Sequence, residues 1–178
     1  MKVSTSTITK VLIDNVQNSY RLDPITVFLE DHGQGRGEIT IKCYGESWTA
    51  YWGAMGDNTI IEFFCDCDEH YIANKLSSIS SSLDDYEKLA TIARIEVINH
   101  RRKGNMDADE ARRLFTETDR LCDADSIRDC NALVQDIFDC NLWELTIPSK
   151  PNPDYQYLCR IITTVQEALR SMTKQQAA

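Results

Sequence analysis

The densest group of potentially reactive side chains lies between Cys65 and His70, where two cysteines, an imidazole and three carboxylates occur together. Thiolates and imidazoles are the usual ligands of zinc in proteins. The spacing is unfavourable, because paired zinc cysteines are usually separated by about two to four residues. In a helix, the side chains of Cys65 and Cys67 would also diverge by about 200°. Buried, reduced thiols are the main prediction, and a small metal-dependent enzyme or metal-binding module centred on Cys65, Cys67 and His70 is the alternative.

The carboxylates of the same segment suggest an acidic surface. The pattern predicts one helix from Thr59 to about Leu76, opened by a capping box that Thr59 forms with a glutamate. Along this helix, carboxylates at i, i+4 and i+7 form a stripe that a further aspartate continues. A solvated helix face without function explains the same stripe. The four residues are Glu62, Asp66, Asp68 and Glu69.

Three aromatic residues lie close together just before this helix. On a strand, Trp48 and Trp52 share one face and Tyr51 takes the other. Exposed aromatic side chains are the residues that most often anchor protein interfaces. We therefore predict partner contacts through the exposed members of this group and through the acidic stripe, although packing of all three aromatics under helices is also consistent with the pattern.

Composition excludes several classes of function. The 178 residues carry a formal net charge of −9, so a general phosphate-binding surface is not expected. No apolar run approaches the roughly 18 residues that a membrane helix needs. The N-terminal residues lack the apolar stretch of a secretory signal, so we expect a cytoplasmic protein.

Known catalytic motifs are not found in the sequence. The glycine-rich stretch Gly33–Gly37 precedes a predicted strand, whereas phosphate loops open a helix, so it is predicted to be a hairpin loop. A second glycine group, Gly53–Gly56, is predicted to be a tight turn between strand and helix. The three histidines are too scattered to nominate a base. No catalytic residue, metal ligand or cofactor is therefore predicted beyond the alternative above.

The first third of the chain alternates with period two. This alternation predicts strands over residues 25–29, 39–43 and 48–52, with Gly45-Glu46 as a type II′ turn between the last two. Residues 5–13 predict a fourth strand, and a short helix over residues 9–17 is almost equally consistent. The pattern indicates an antiparallel meander of three to four strands.

Helical periodicity dominates the rest of the chain. A second helix opens at Ser82–Asp85 and ends at Gly104, and a third opens at Asp107 and includes Phe115 and Leu121 on its inward stripe. A fourth covers about residues 126–139, and the last begins at Pro153. The prediction is an α+β fold: an N-terminal antiparallel three- to four-stranded meander packed against a helix, followed by a four-helix C-terminal portion. We expect residues 1–76 and 77–178 to pack as one compact unit.

The strand-to-helix region resembles a group of small proteins of bacteriophages and prophages of Gram-negative bacteria. The resemblance covers about residues 23–76 and rests on Cys43-Tyr44-Gly45, Trp48-Thr49-Ala50-Tyr51-Trp52-Gly53, Met55-Gly56, Thr59-Ile60 and Phe63-Phe64. It implies a phage origin and expression in the cytoplasm of a bacterial host, and it carries over no catalytic residue.

With this resemblance, the leading functional expectation is a phage accessory protein that binds and inhibits or modulates a host protein. The expected partner is a defence or nucleic-acid-processing factor, because an acidic surface can mimic nucleic acid in a basic channel. Direct nucleic-acid binding and membrane association are not expected, and self-association into a homo-oligomer stays open. The predicted contact residues are Trp48, Tyr51, Trp52, Glu62, Asp66, Asp68 and Glu69.

Overall fold

The structure is a computed structural model that describes residues 1, 3, 5–14, 16 and 22–176. Its strands are β1 (Thr9–Ile13), β2 (Ile25–Asp31), β3 (Gly37–Cys43), β4 (Glu46–Trp52), β5 (Ser82–Asp84) and β6 (Ser149–Pro151). Its α-helices are α1 (Ile60–Asp66), α2 (Glu69–Leu76), α3 (Tyr86–Lys103), α4 (Ala108–Glu117), α5 (Asn131–Phe138) and α6 (Pro153–Gln176). The chain divides into a sheet unit, Met1–Ser81 with Pro153–Ala178, and a helical unit, Ser82–Asn152.

The four strands β1 to β4 form an antiparallel meander in chain order. Val27 lies opposite Val11 on one side and Ile41 on the other, so the apolar positions of three strands share one face. The three predicted strands are confirmed, and β1 supplies the fourth. A helix over residues 9–17 is wrong for Thr9–Ile13, because these residues pair with β2; residues 15 and 17 lie outside the described residues.

The turn between β3 and β4 differs from the predicted one. Cys43 pairs with Glu46, so the two turn residues are Tyr44 and Gly45, with φ of 49° and 83°. Two consecutive residues with positive φ are characteristic of a type I′ turn, whose twist matches that of the flanking strands. The predicted type II′ turn at Gly45-Glu46 is therefore wrong by one residue.

The core of the sheet unit lies between the inner face of the sheet and three helices. Inward strand residues such as Ile39 and Ile41 are fully buried against Phe64 of α1 and Ile72 of α2. Burying each such side chain stabilises the fold by about 1.5–3 kcal/mol. Helix α6 completes this core with one apolar stripe, in which the buried residues are Leu158, Ile161, Ile162, Val165 and Leu169.

Two glycine segments pack directly against each other beside this core. The amide of Met55 donates to the carbonyl of Gly35 at 2.7 Å. A Cβ atom on Gly35, which has φ of +66°, would lie 1.8 Å from the carbonyl oxygen of Gly56. The predicted loop between β2 and β3 is confirmed, and its glycines permit close backbone approach at a conformation that other residues rarely adopt.

The helical unit has its own core and differs from the prediction at two helix ends. Helix α3 begins after the cap Asp85 and ends at Gly104, as predicted. The predicted third helix instead ends as α4 at Glu117 and continues as a 3₁₀ turn, and a 3₁₀ turn also precedes α5. Phe115, predicted to point inward, is 41% exposed. The α+β class is confirmed, while the four-helix detail is not exact.

A short antiparallel pair brings the two ends of the helical unit together. Strand β5 pairs with β6, with Leu83 opposite Lys150. The amide of Asp85 also donates to the carbonyl of Pro148 at 2.7 Å, next to the pair. Among the described helices, none is long and apolar enough to cross a membrane.

Candidate partner-binding surface

The predicted single helix over residues 59–76 is interrupted, which changes where its carboxylates lie. Thr59 and Glu62 form the predicted capping box, but α1 ends at Cys67, which is extended with ψ of 150°. Asp68 then caps α2, and its carboxylate accepts hydrogen bonds from the amides of His70 and Tyr71. The prediction of one helix is wrong, because a second helix, capped by Asp68, begins inside the predicted range.

Side chains of α6 satisfy the backbone at this interruption. The amide Nε2 of Gln166 donates to the carbonyls of Phe64 and Cys67, both at 2.8 Å. Arg170 donates to the carbonyl of Cys65. Since carbonyls at a helix end have no partner within the helix, these two side chains stabilise the α1–α2 junction. Gln166 is only 4% exposed, so its hydrogen bonds are shielded from water.

Two of the four predicted carboxylates have a role in capping. Glu62 accepts hydrogen bonds from the amide and the hydroxyl of Thr59, both at 2.8 Å. The backbone hydrogen bond, followed by the hydroxyl one, lowers the pKa of Glu62. Asp68 is the cap of α2. Asp66 is exposed and Glu69 is half-buried, and neither caps a helix.

The aromatic residues of β4 divide between the two faces of the sheet, as predicted. Trp48 and Trp52 lie on the inner face, opposite Ile41 and Gly37. Trp52 is 4% exposed and cannot contact a partner directly. Tyr51 lies on the outer face and is 50% exposed, which makes it the most exposed of the predicted aromatic group.

The helices add two aromatic residues that we did not predict as contacts. Phe63 packs against Trp52 with ring centroids 5.7 Å apart and meets Tyr71 edge-on at 6.5 Å. Tyr71 accepts a 3.1 Å hydrogen bond from Nε1 of Trp52 and is still 42% exposed. The single helix predicted over residues 59–76 contains both Phe63 and Tyr71, and its interruption at Cys67 places them on two different helices.

These side chains define what we call the α1–α2 surface: Glu62, Phe63, Asp66, Asp68, Glu69 and Tyr71. A groove of about 350 Å³ adjoins it between α1 and the end of α6, with Ile61 and Cys65 among its apolar lining and Glu62 and Asp66 along one side. Arg170 and Lys174 of α6 line the same groove. The surface is therefore acidic with a basic border.

The outer face of the sheet forms a second, mixed surface. Phe28 lies between two lysines, with Nζ of Lys42 5.4 Å and Nζ of Lys10 5.9 Å from its ring centroid. Such cation–π contacts stabilise the half-buried ring by about 0.5–1 kcal/mol each. Glu30 and Glu38 line a shallow depression beside the same ring, so this face carries both signs of charge.

The residues of the metal alternative do not converge. The thiol of Cys65 is buried and directed at the carbonyl of Gln166, 3.7 Å away. Burial raises the pKa of both Cys65 and Cys67, which favours the thiol over the thiolate that binds metal. Within residues 1, 3, 5–14, 16 and 22–176, no three His, Cys, Asp or Glu side chains are placed to hold a metal ion.

His70 belongs instead to a group with two residues of α6. Its ring stacks on Tyr155 with an angle of 7° between the planes, and the tyrosine hydroxyl is 3.3 Å from Nδ1. The thiol of Cys159 lies 3.6 Å from the same nitrogen. Burial, and then the charges of Glu69 and Asp68, raise the pKa of Cys159, so this thiol is protonated at neutral pH and is a poor nucleophile.

The helical unit displays one further aromatic residue, Trp143, which is 81% exposed. It lies in a 3₁₀ turn held by a capping box between Asn141 and Glu144. The side chain of Asn131 also accepts from the amide of Leu142 at 2.9 Å, so the turn is fixed at both ends. No periodic pattern surrounds Trp143, and sequence reasoning did not single it out.

Comparison with known proteins gives one result. A family model described as a phage family matches residues 1–171 of the chain. Searches of curated proteins and of solved structures return no significant match. The match extends the resemblance noted for residues 23–76 across both units.

Proposed function

Because the chain belongs to this phage family, which its residues 1–171 match, we propose that it is a phage accessory protein that binds a host protein and inhibits or modulates it. The partner is a defence or nucleic-acid-processing factor in the bacterial cytoplasm. The contact is made by the α1–α2 surface. The observation that carries the proposal is the combination, on two adjacent helices, of partly exposed aromatic rings with carboxylates, two of which, Asp66 and Glu69, do not cap a helix.

The aromatic part of the surface supplies an anchor. Tyr71 is 42% exposed, and its ring is held by Phe63 and by the hydrogen bond from Trp52. A ring held in this way loses little conformational entropy on binding, which favours tyrosine at interface centres. Trp52 donates a hydrogen bond that fixes the hydroxyl of Tyr71. The buried tryptophan therefore orients the proposed anchor and does not itself contact the partner.

The acidic part selects the partner. Asp66, exposed on α1, and Glu69, half-buried at the start of α2, add negative charge to these two helices, in a chain whose net charge is −9. Such a surface attracts proteins with basic clefts and repels nucleic acid itself. Arg170 and Lys174 border the same region, so a matching partner surface is basic at its centre and carries a carboxylate at its edge.

The structure allows the charge to be removed without removing a helix cap. The double variant Asp66→Asn/Glu69→Gln neutralises the two carboxylates and leaves the caps Glu62 and Asp68 in place. The matched control is Glu38→Gln/Glu46→Gln, which changes the net charge equally on strands β3 and β4. Tyr71→Ala tests the anchor.

The experiment is a pull-down from bacterial host lysate at low and high salt with the wild-type chain, the double variant and the control. We expect a host protein that the wild-type chain and the control retain at low salt and release at high salt. With that protein purified, the double variant and Tyr71→Ala should each weaken binding by about tenfold. Unchanged affinity and salt dependence in the double variant, or recovery of the chain alone, would refute the proposal.

A further inference from the structure

The helical unit carries an apolar groove of about 420 Å³ between α3 and α4. Val97 and Ala111 form part of its lining, and Ile98 and Phe115 are its large apolar side chains. None of these residues belongs to the α1–α2 surface, so the groove is a separate feature that the proposed function does not use.

The apolar side chains of the groove are unusually open to solvent. Ile98 is 40% exposed and Phe115 is 41% exposed, and Ile95, one helical turn before Ile98 on α3, is 51% exposed. Residues three apart on a helix lie on the same face, so Ile95 extends the apolar lining along α3. Large apolar side chains grouped in this way mark interaction surfaces more often than isolated ones.

Three arginines surround this apolar lining. Arg101 and Arg102 come from the last turn of α3, and Arg112 comes from α4. Arg112 pairs with Asp109 at 2.8 Å, and Arg101 interacts electrostatically with Asp107. Within the described part of the chain, Arg101 and Arg102 form no ion pair. In a unit where acidic residues outnumber basic ones, the groove is thus a local basic site.

We propose that this groove binds an amphipathic helix of another protein, one with apolar side chains at i, i+3 and i+4 and carboxylates along its edges. A groove between two helices accepts such a helix by the common helix-in-groove mode. The apolar side chains of the ligand fill the space between Ile98 and Phe115. Its carboxylates pair with Arg101 and Arg102, which supply the charge complementarity.

A synthetic peptide tests this proposal without knowledge of the natural partner. The probe is an alanine-based helical peptide of about 20 residues with leucines at i, i+3, i+4 and i+7 and flanking glutamates. The comparison peptide carries lysines in place of the glutamates. Binding to the full chain is measured by calorimetry at low and moderate salt. We expect the acidic peptide to bind with a salt-dependent dissociation constant and the basic peptide not to bind.

Variants of the groove residues then test whether the peptide binds in the groove. Ile98→Ser/Phe115→Ser should weaken binding by about tenfold or more, and Arg101→Ala/Arg102→Ala by about fivefold with a smaller salt dependence. The control Arg128→Ala, which lies outside the groove, should bind as the wild type does. Unfolding temperatures show whether each variant remains folded.

Several outcomes would overturn the proposal. Equal binding of the acidic and basic peptides, or no binding of either, would remove the acidic helix as the ligand. Unchanged affinity in Ile98→Ser/Phe115→Ser, with the variant folded, would place the peptide elsewhere. A dimer of the chain that this variant dissociates would assign the groove to a second copy of the protein.

Discussion

Nε2 of Gln166 donates a 2.8 Å hydrogen bond to the main-chain carbonyl of Phe64, joining the middle of α6 to the end of α1. The same nitrogen reaches the carbonyl of Cys67, so one amide serves both sides of the junction where α1 ends. The orientation of the α1–α2 surface therefore depends on a residue about 100 positions away in the sequence.

Replacing Gln166 with alanine should destabilise the protein by about 1–3 kcal/mol, because one buried and one partly buried carbonyl lose their partner. Urea unfolding measures the change. The matched control is Gln156→Ala, an exposed glutamine on the same helix, which should change stability by less than about 0.5 kcal/mol. Equal effects of the two substitutions would contradict the role assigned to Gln166.

The α1–α2 junction shows which features of the fold can be predicted from the sequence and which cannot. Alternation of Ile39, Ile41 and Cys43 identified β3, because strand periodicity and burial of one face are local properties. No proline or glycine in the sequence marks the end of α1 at Cys67, and the carbonyls there accept hydrogen bonds from side chains of α6. Phe63 and Tyr71 were therefore assigned to a single helix, and their combination into one surface could not be predicted.

Substitution of Gly35 should be far more costly than substitution of Gly33. Both have positive φ, but a Cβ on Gly35 would lie 1.8 Å from the carbonyl oxygen of Gly56, whereas Gly33 has open space around it. We expect Gly33→Ala to cost about 1 kcal/mol and Gly35→Ala more than about 3 kcal/mol. Thermal unfolding of the two variants checks this difference, and similar unfolding temperatures would contradict the close packing of the two loops.

Stability should fall in strongly alkaline solution because of Tyr157. The hydrogen bond with the Cys43 thiol, followed by burial, raises the pKa of Tyr157 from 10.0 to about 12. Between these values the folded state holds a proton that the unfolded state has lost. The contribution of Tyr157 is thus complete below about pH 10 and is lost as the pH rises through about 12.

The variant Tyr157→Phe tests this dependence. Its free energy of unfolding, measured in denaturant between about pH 9 and about pH 11.5, should decline less steeply than that of the wild type. Tyr51→Phe, which removes the hydroxyl of a tyrosine that is 50% exposed, is the control and should follow the wild-type curve. If the free energy of unfolding of Tyr157→Phe fell with pH as steeply as that of the wild type, this linkage would be ruled out.

Treatment with a metal chelator should leave the stability of the protein unchanged. Cys65, Cys67 and His70 do not converge, and the thiol of Cys65 and the ring of His70 contact protein groups instead. We expect the same unfolding temperature before and after chelation, and the same value for Cys67→Ser within about 3 °C. Stoichiometric zinc in the purified protein, lost together with stability in Cys67→Ser, would restore the metal alternative.

The arrangement of the two units bears on the order in which the chain folds during synthesis. The sheet unit needs α6 to cover its core, whereas the helical unit is one continuous segment whose ends meet at the β5–β6 pair. On the ribosome, the helical unit can therefore fold as soon as it emerges. The sheet is made first, but the part of its apolar face that α6 covers stays exposed until α6 has been translated, so the sheet unit is the more aggregation-prone part in the meantime.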